Sequence, residues 1–317
     1  MAVTYNDGVL HVDNTIISTF ATCPLKAAIH YGMDRQSTQA NNANLEAGKA
    51  IHHAQEYYWL GDKPTKCLEI LEIDYKEWSK KNVFDNKRLA WDNIERVFLS
   101  WMDKYPQNKL PFIVEEHEVE IALSAPMTKD GSIIYTGTMD LYGKARHGNM
   151  RYAVDHKMTG KVDSLKKKEY SITSQMTGYL WLLRENGYDA HGIYINLIDA
   201  SQVPTSNRKC STHRTLYEEC GFLHMKHEIV GPYQRSDDDI EKWFRDTLAD
   251  AQQWRDVIEY IGDDFEKLHD IEQRGKKIYN ACNSCDWYDY CKMGQPSFWL
   301  KNNTVHHEWK PGTLKDK

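Results

Sequence analysis

The chain has 317 residues, 41% of them hydrophobic and 27% charged, which suits a globular protein with one large core or two modest ones. No apolar run approaches the ~20 residues that span a bilayer and no charged-then-apolar leader opens the chain, so a cytoplasmic protein outside the membrane is expected. The net charge of −6 excludes a strongly basic nucleic-acid coat: contact with phosphates has to come from local patches, and an acidic metal site would itself lower the total.

From the N-terminus, VTYNDGVLHV reads as two short strands around an Asn-Asp-Gly turn. STFATCPLKAAIHYG reads as a helix capped by Ser18 and stopped at Gly32, with Cys23 in its first turns. NLEAGKAIHHAQEYYWLG gives a helix ending at Gly61, on which Ile51, His52, Gln55, Glu56 and Trp59 share overlapping faces. A helical region over roughly 66–104 follows, with Trp91, Ile94, Val97, Phe98 and Trp101 as its apolar stripe.

The texture then changes. FIVEEHEVEIAL alternates apolar and polar residues as a half-buried strand does. SIIYTGTMDLYGKAR and RYAVDHK are further strands separated by the turn HGNM, and KEYSITSQMTGYLWLLRENG is a helix stopped by Gly187. HGIYINLID is another strand, HMKHEIVGPY one more, and a long helix covers about 236–260. The order predicts an α/β fold, a mixed sheet flanked by helices. Within one domain the chain divides into an N-terminal hairpin and two helices (1–61), a helical insertion (62–110), an α/β core (111–199), an excursion with the long helix (200–275) and a cysteine-rich end (276–300).

Asp140 and Asp155 fall near the ends of consecutive strands, where antiparallel pairing lets the carboxylates face each other. Two such groups repel unless a cation lies between them, and hard oxygen ligands favour Mg²⁺ or Mn²⁺. The two-residue period puts Lys157 on the face of Asp155 and turns His156 away. Such a set suits phosphodiester hydrolysis, a metal activating water while the ammonium holds the attacking oxygen or the transition state. An isolated D-x-K reads first as a surface ion pair at a strand end, and His52 alone reads as a core histidine on an amphipathic helix.

Seven cysteines, an odd number, suit reduced thiols or metal ligands better than a disulfide framework. Cys282, Cys285 and Cys291 form a C-x₂-C-x₅-C trio, and Cys23 is the natural fourth member. Four thiolates suit an iron–sulfur cluster or a zinc ion. Cys67 reads as buried filler, and Cys210 and Cys220 have no matching partners. Lys161, Lys166, Lys167 and Lys168 follow the D-x-K strand: a solvated face, or a patch for the phosphates flanking a scissile bond.

GKAIH (48–52), GTMD (137–140), DHK (155–157) and QMTGY (175–179) occur in this order and resemble the RecB-type branch of the PD-(D/E)XK nucleases. Position 139 is Met where the superfamily's name has Pro. The resemblance implies a restriction-endonuclease-like core in which His52, Asp140, Asp155 and the His156 backbone carbonyl ligate Mg²⁺ or Mn²⁺. Lys157 is then the catalytic lysine, with Gln175 and Tyr179 beside the site against DNA or the metal shell. STFATCP and the C-terminal trio resemble the AddB-type and CRISPR adaptation nucleases, which implies a 4Fe–4S cluster on Cys23, Cys282, Cys285 and Cys291 rather than zinc. No Walker A pattern is present, so the resemblance is to a stand-alone nuclease module acting on DNA ends or single strands, with any helicase or recombination partner in trans. The rival expectations are a catalytically silent DNA-binding scaffold and a zinc-stabilised interaction protein.

Overall fold

The computed structural model describes residues 4–38, 43–81, 87–201, 225–278, 280–283 and 285–310. Most of the excursion predicted over 200–222, with Cys210 and Cys220, lies outside the described residues. The elements run β1 (Tyr5–Asn6), β2 (Val9–Val12), α1 (Asn14–Thr22), α2 (Pro24–Ala27), β3 (Arg35–Ser37), α3 (Ala43–Trp59), α4 (Pro64–Lys81) and α5 (Trp91–Lys104). There follow β4 (Phe112–Ile113), β5 (Val119–Pro126), β6 (Ile133–Ala145), β7 (Arg151–Thr159), α6 (Ser164–Ser171), α7 (Ser174–Glu185) and β8 (Ile193–Asp199). The chain closes with β9 (Glu228–Tyr233), α8 (Asp237–Ile261), α9 (Tyr288–Lys292), α10 (Ser297–Asn303) and β10 (Thr304–His306). No described helix is long and apolar enough to cross a membrane.

Eight strands form one mixed sheet in the order β1-β2-β6-β7-β8-β9, with β4 and β5 also on β6. The predicted α/β class is therefore the observed one. β6 is the hub. On one edge it pairs β5 from Ile134 to Leu141; on the other it pairs β2 only through Ile133–Tyr135 and β7 only through Leu141–Lys144. Between those two partners, Thr136–Asp140 has no described strand beside it on that edge. The sheet is split there.

Each face of the sheet has its own core. α1, α7 and α8 cover one face with Phe20, Trp181, Leu182 and Trp254 around Tyr135 and Ile195. α3, α4 and α5 cover the other with Ile51, Leu71, Phe98 and Trp101 around Val154 and Ile198. Each large apolar side chain so buried contributes about 1.5–3 kcal/mol. Gly137 sets how near α7 can come: a Cβ there would lie 2.9 Å from Leu182 and 3.1 Å from Tyr179.

Three elements depart from the sequence expectation. The first helix begins earlier, capped by Asp13, whose carboxylate accepts the Ile16 N–H at 2.8 Å, and not by Ser18. It breaks at Cys23, which is extended (φ −157°, ψ 100°), because a residue before proline avoids the helical region. The segment predicted as one strand over FIVEEHEVEIAL is interrupted: Glu115 and Glu118 close a capping box, and buried Glu118 pairs with Arg151. KEYSITSQMTGYLWLLRENG forms two helices, α6 and α7, because β-branched Ile172 and Thr173 leave the helix, and Arg235 spans the break with bonds to Ser171 O (2.6 Å) and Thr177 Oγ1 (3.0 Å).

The chain's ends are tied together. β10 pairs antiparallel with β3, setting Thr304 opposite Ser37. Trp309 Nε1 donates to Asp13 Oδ2 at 3.1 Å, and Leu25 N donates to Glu272 O at 3.2 Å.

Candidate active site

The split in the sheet brings the acidic residues together. The β6–β7 ladder ends at Leu141 opposite Val154, and one further step of the same register sets Asp140 opposite Asp155. Beyond that point the strands diverge, and Asp140 Oδ2 instead accepts the backbone N–H of His156. Lys157 lies on the same side of β7 as Asp155, its Nζ 3.0 Å from Oδ1 and 2.9 Å from Oδ2. Asp155 is 2% exposed, whereas Lys157 keeps a quarter of its side chain in solvent. The expected juxtaposition of Asp140, Asp155 and Lys157 is present.

His156 turns to the opposite face, as the strand period predicts. Its ring stacks on Trp59, with centroids 6.2 Å apart, and meets His52 edge-on at 5.6 Å. His52 comes from α3, close enough to Asp140 and Lys157 to feel both charges. Burial holds both imidazoles below their ordinary pKa, His156 at about 3, so both are neutral at pH 7. Gly48, one turn before His52, has nothing within 4 Å of where a Cβ would stand, so the approach along that face of α3 is open.

Burial pushes the Asp155 carboxyl up to about 7; the neighbouring Asp140 charge adds to this and Lys157 opposes it. Asp140 moves the other way. Burial would raise it, but it is outweighed by His52, His156, Lys157 and the His156 amide; with both imidazoles neutral, the ammonium and the amide are what remain. Lys157 is held above its ordinary value, since the two carboxylates outweigh its desolvation.

Among the described residues no three His, Cys, Asp or Glu side chains stand close enough to hold an ion as they are. At the carboxylates, Asp155 is turned onto Lys157 and Asp140 onto an amide; the four cysteines likewise do not converge closely enough to form such a group. The donor set still fits a hard divalent ion, with two adjacent carboxylates beside a backbone carbonyl and, on His52, a buried Nε2 that has no partner. A proton and an ion then compete for Asp155. The folded pKa lies above the unfolded value near 4, so without metal this carboxyl contributes stability that is full below about pH 4 and lost as pH rises through about 7. Added Mn²⁺ is expected to raise the melting temperature more at about pH 8 than at about pH 6. An equal gain at both would show that Asp155 does not take the ion.

Gln175 and Tyr179 lie together on α7, the amide donating to the phenol at 2.9 Å. Tyr179 is buried near Asp155 and Asp140, and burial holds its pKa well above the ordinary value. Lys161 lies in the connection before α6 and Lys166, Lys167 and Lys168 lie on it, but three of the four are already paired: Lys161 with Asp163 (2.8 Å), Lys166 with Glu169 (2.7 Å) and Lys167 with Glu228 (2.5 Å). Lys168 alone of the four is exposed with no ion-pair partner among the described residues.

Cys23, Cys282, Cys285 and Cys291 line one cavity of about 370 Å³, rimmed by Lys26, Lys276 and Lys292. Burial raises the Cys285 thiol and pushes Cys291 up to about 11, each with the other cysteines adding to it. Gly275 forms part of the wall: a Cβ there would lie 3.4 Å from Cys23 Sγ and 3.8 Å from Cys282 Sγ. Cys67 is buried, as expected of filler.

Sequence reasoning did not select Glu56 as a site residue. It follows His52 by one turn of α3, half-buried, its carboxyl raised to about 7 by burial, with Asp140 and Asp74 adding to this and His53 opposing it. Asn196 was also missed: it is fully buried and bonded to the His156 ring. Its signal was an amide side chain inside the apolar strand IYINLID. Among curated proteins no match was found. A family model of the PD-(D/E)XK nuclease superfamily matches residues 14–292, from α1 through Cys291, and so takes in the split sheet, both carboxylates and the lysine. The chain belongs to the PD-(D/E)XK nuclease superfamily.

Proposed function

We propose that this nuclease is a Mg²⁺- or Mn²⁺-dependent deoxyribonuclease of the RecB/AddB type, acting as an exonuclease on DNA ends or single strands. The observation that carries the reading is the meeting of Asp140, Asp155 and Lys157 at the open end of the β6–β7 ladder. His52, Asp140, Asp155 and the His156 carbonyl would hold the ion, which when bound lowers the pKa of water and neutralises charge on phosphate.

The chain's own groups supply the rest. Lys157, fixed against Asp155, offers an ammonium to the attacking oxygen or to a phosphate oxygen as negative charge develops there. Its raised pKa keeps it a cation throughout the neutral range. Tyr179 keeps its proton, and with Gln175 it presents neutral donors from α7 beside the site. Lys168 contributes a free charge for a flanking phosphate, whereas Lys161, Lys166 and Lys167 would first have to leave their carboxylate partners. End-labelled linear and circular DNA, single- and double-stranded, incubated with Mg²⁺, Mn²⁺ or chelator, tests the reading. It predicts metal-dependent loss of linear DNA with circles spared; persistence of every substrate in every metal contradicts it.

We further infer that the four cysteines hold a 4Fe–4S cluster, for which the cavity shared by Cys23 and the C-terminal trio is the support. When bound, such a cluster clasps the two ends of the chain. Gly275→Val would drive a side chain between Cys23 and Cys282. Anaerobically purified G275V is expected to carry less iron and less visible absorbance than wild type, and equal iron would contradict the assignment.

A further inference from the structure

Behind the carboxylates, on the opposite face of the sheet, a buried chain of hydrogen bonds ends on the residue that holds Asp140. Trp101, from α5 in the helical insertion, donates its indole N–H to Asn196 Oδ1 at 3.1 Å. Asn196 Nδ2 lies 3.0 Å from His156 Nδ1. Trp101 and Asn196 are fully buried and His156 is 1% exposed.

The direction of each bond follows from chemistry. An indole N–H can only donate, so the asparagine oxygen must face Trp101. Its NH₂ must then face His156, and an NH₂ can only donate, so His156 Nδ1 is an acceptor. The ring proton therefore resides on Nε2, which is buried without a hydrogen-bond partner. Trp59 lies stacked beside the ring, the two planes 14° apart. Both ring plane and tautomer are fixed from outside the site.

The backbone of His156 does two things at once: its N–H holds Asp140, and its carbonyl belongs to the proposed ion site. We propose that Asn196 and Trp101 are positioning residues of the ion site, locking the His156 ring so that its peptide groups stay set against Asp140. The inference rests on the nuclease reading above. It makes the α4–α5 insertion a support of the active site. Groups that orient a metal's immediate partners typically change affinity about 10–100-fold when altered.

The test uses the full-length protein without DNA, with Mn²⁺ binding followed by calorimetry. Asn196→Asp keeps size and shape but replaces the donor that faces His156 with an oxygen. Trp101→Phe keeps the aromatic packing and removes the indole donor. Each variant is expected to bind Mn²⁺ at least about tenfold more weakly than wild type. Losses in the double variant should fall short of the sum, because one chain carries both. Cleavage should return toward the wild-type maximum at high Mn²⁺, the mark of lost positioning. Wild-type affinity in a folded variant overturns the inference; should N196D not fold, W101F decides it. The nuclease reading fails separately, if wild type binds no Mn²⁺ or if Asp155→Asn binds it unchanged; the first of these removes the positioning role as well.

Discussion

A Lys157→Ala protein is expected to fold, to bind a divalent ion, and to cleave DNA about 10²–10³-fold more slowly than wild type. The magnitude is that of removing one preorganised charge aimed at a developing oxyanion. The geometry explains why nothing else replaces it: the two other lysines nearest in sequence, Lys161 and Lys166, are exposed enough to pair with carboxylates on their own segment. Loss of the ammonium also frees Asp155, so ion binding is expected to tighten as the rate falls. Initial rates on end-labelled single-stranded DNA, with melting temperature as the control for folding, check this. An unchanged rate would remove Lys157 from the mechanism. Lys157→Arg is expected to recover little, since a planar guanidinium cannot occupy the same point beside Asp155.

The second large effect lies at the cysteine cavity. Cys291→Ser is expected to lose the visible absorbance of thiolate-bound iron and to melt roughly 3–6 °C lower, taking closure of a long loop as worth about 2–4 kcal/mol in a chain of this length. The fall stops short of unfolding because β10 still pairs with β3 and Trp309 still bonds Asp13. A serine oxygen is too hard a ligand to replace the thiolate. Visible spectra, iron content and a thermal melt on anaerobically prepared protein settle it: a C291S protein as brown and as stable as wild type contradicts the cluster.

The parts of this site that could be read in the sequence are those set by strand period and short spacing. Asp155 and Lys157 share a face because side chains alternate, and His156 turns away for the same reason. The turn between β6 and β7 was visible, and so was the pairing that sets Asp140 against Asp155. What the sequence hid depends on tertiary placement. The split of β6 comes from two partners that are distant in sequence, β2 and β7, each covering part of one edge. Asn196 and Trp101 meet across the sheet, and no local pattern links a tryptophan at 101 to an amide at 196. Glu56 was visible as a helix-face residue but not as a carboxylate near Asp140. The lysine run reads in the sequence either as a solvated face or as a phosphate patch, and its pairing was not legible there: folding gives three of the four cations carboxylate partners.

The break at Cys23 shows how a local rule can serve a distant site. Hydrophobic period alone carried a helix straight through this residue. Pro24 forces Cys23 out of the helical region, and the thiol turns toward a cavity shared with residues from the other end of the chain.

An anomalous-difference map from crystals soaked in Mn²⁺ puts the whole reading at risk in one step. A single strong peak is predicted at the mouth of the β6–β7 ladder, bonded to Asp140 and Asp155 with the His52 ring and the His156 carbonyl around it. No peak there after saturation, or an ion bound only elsewhere, would leave these carboxylates without the metal on which the account depends.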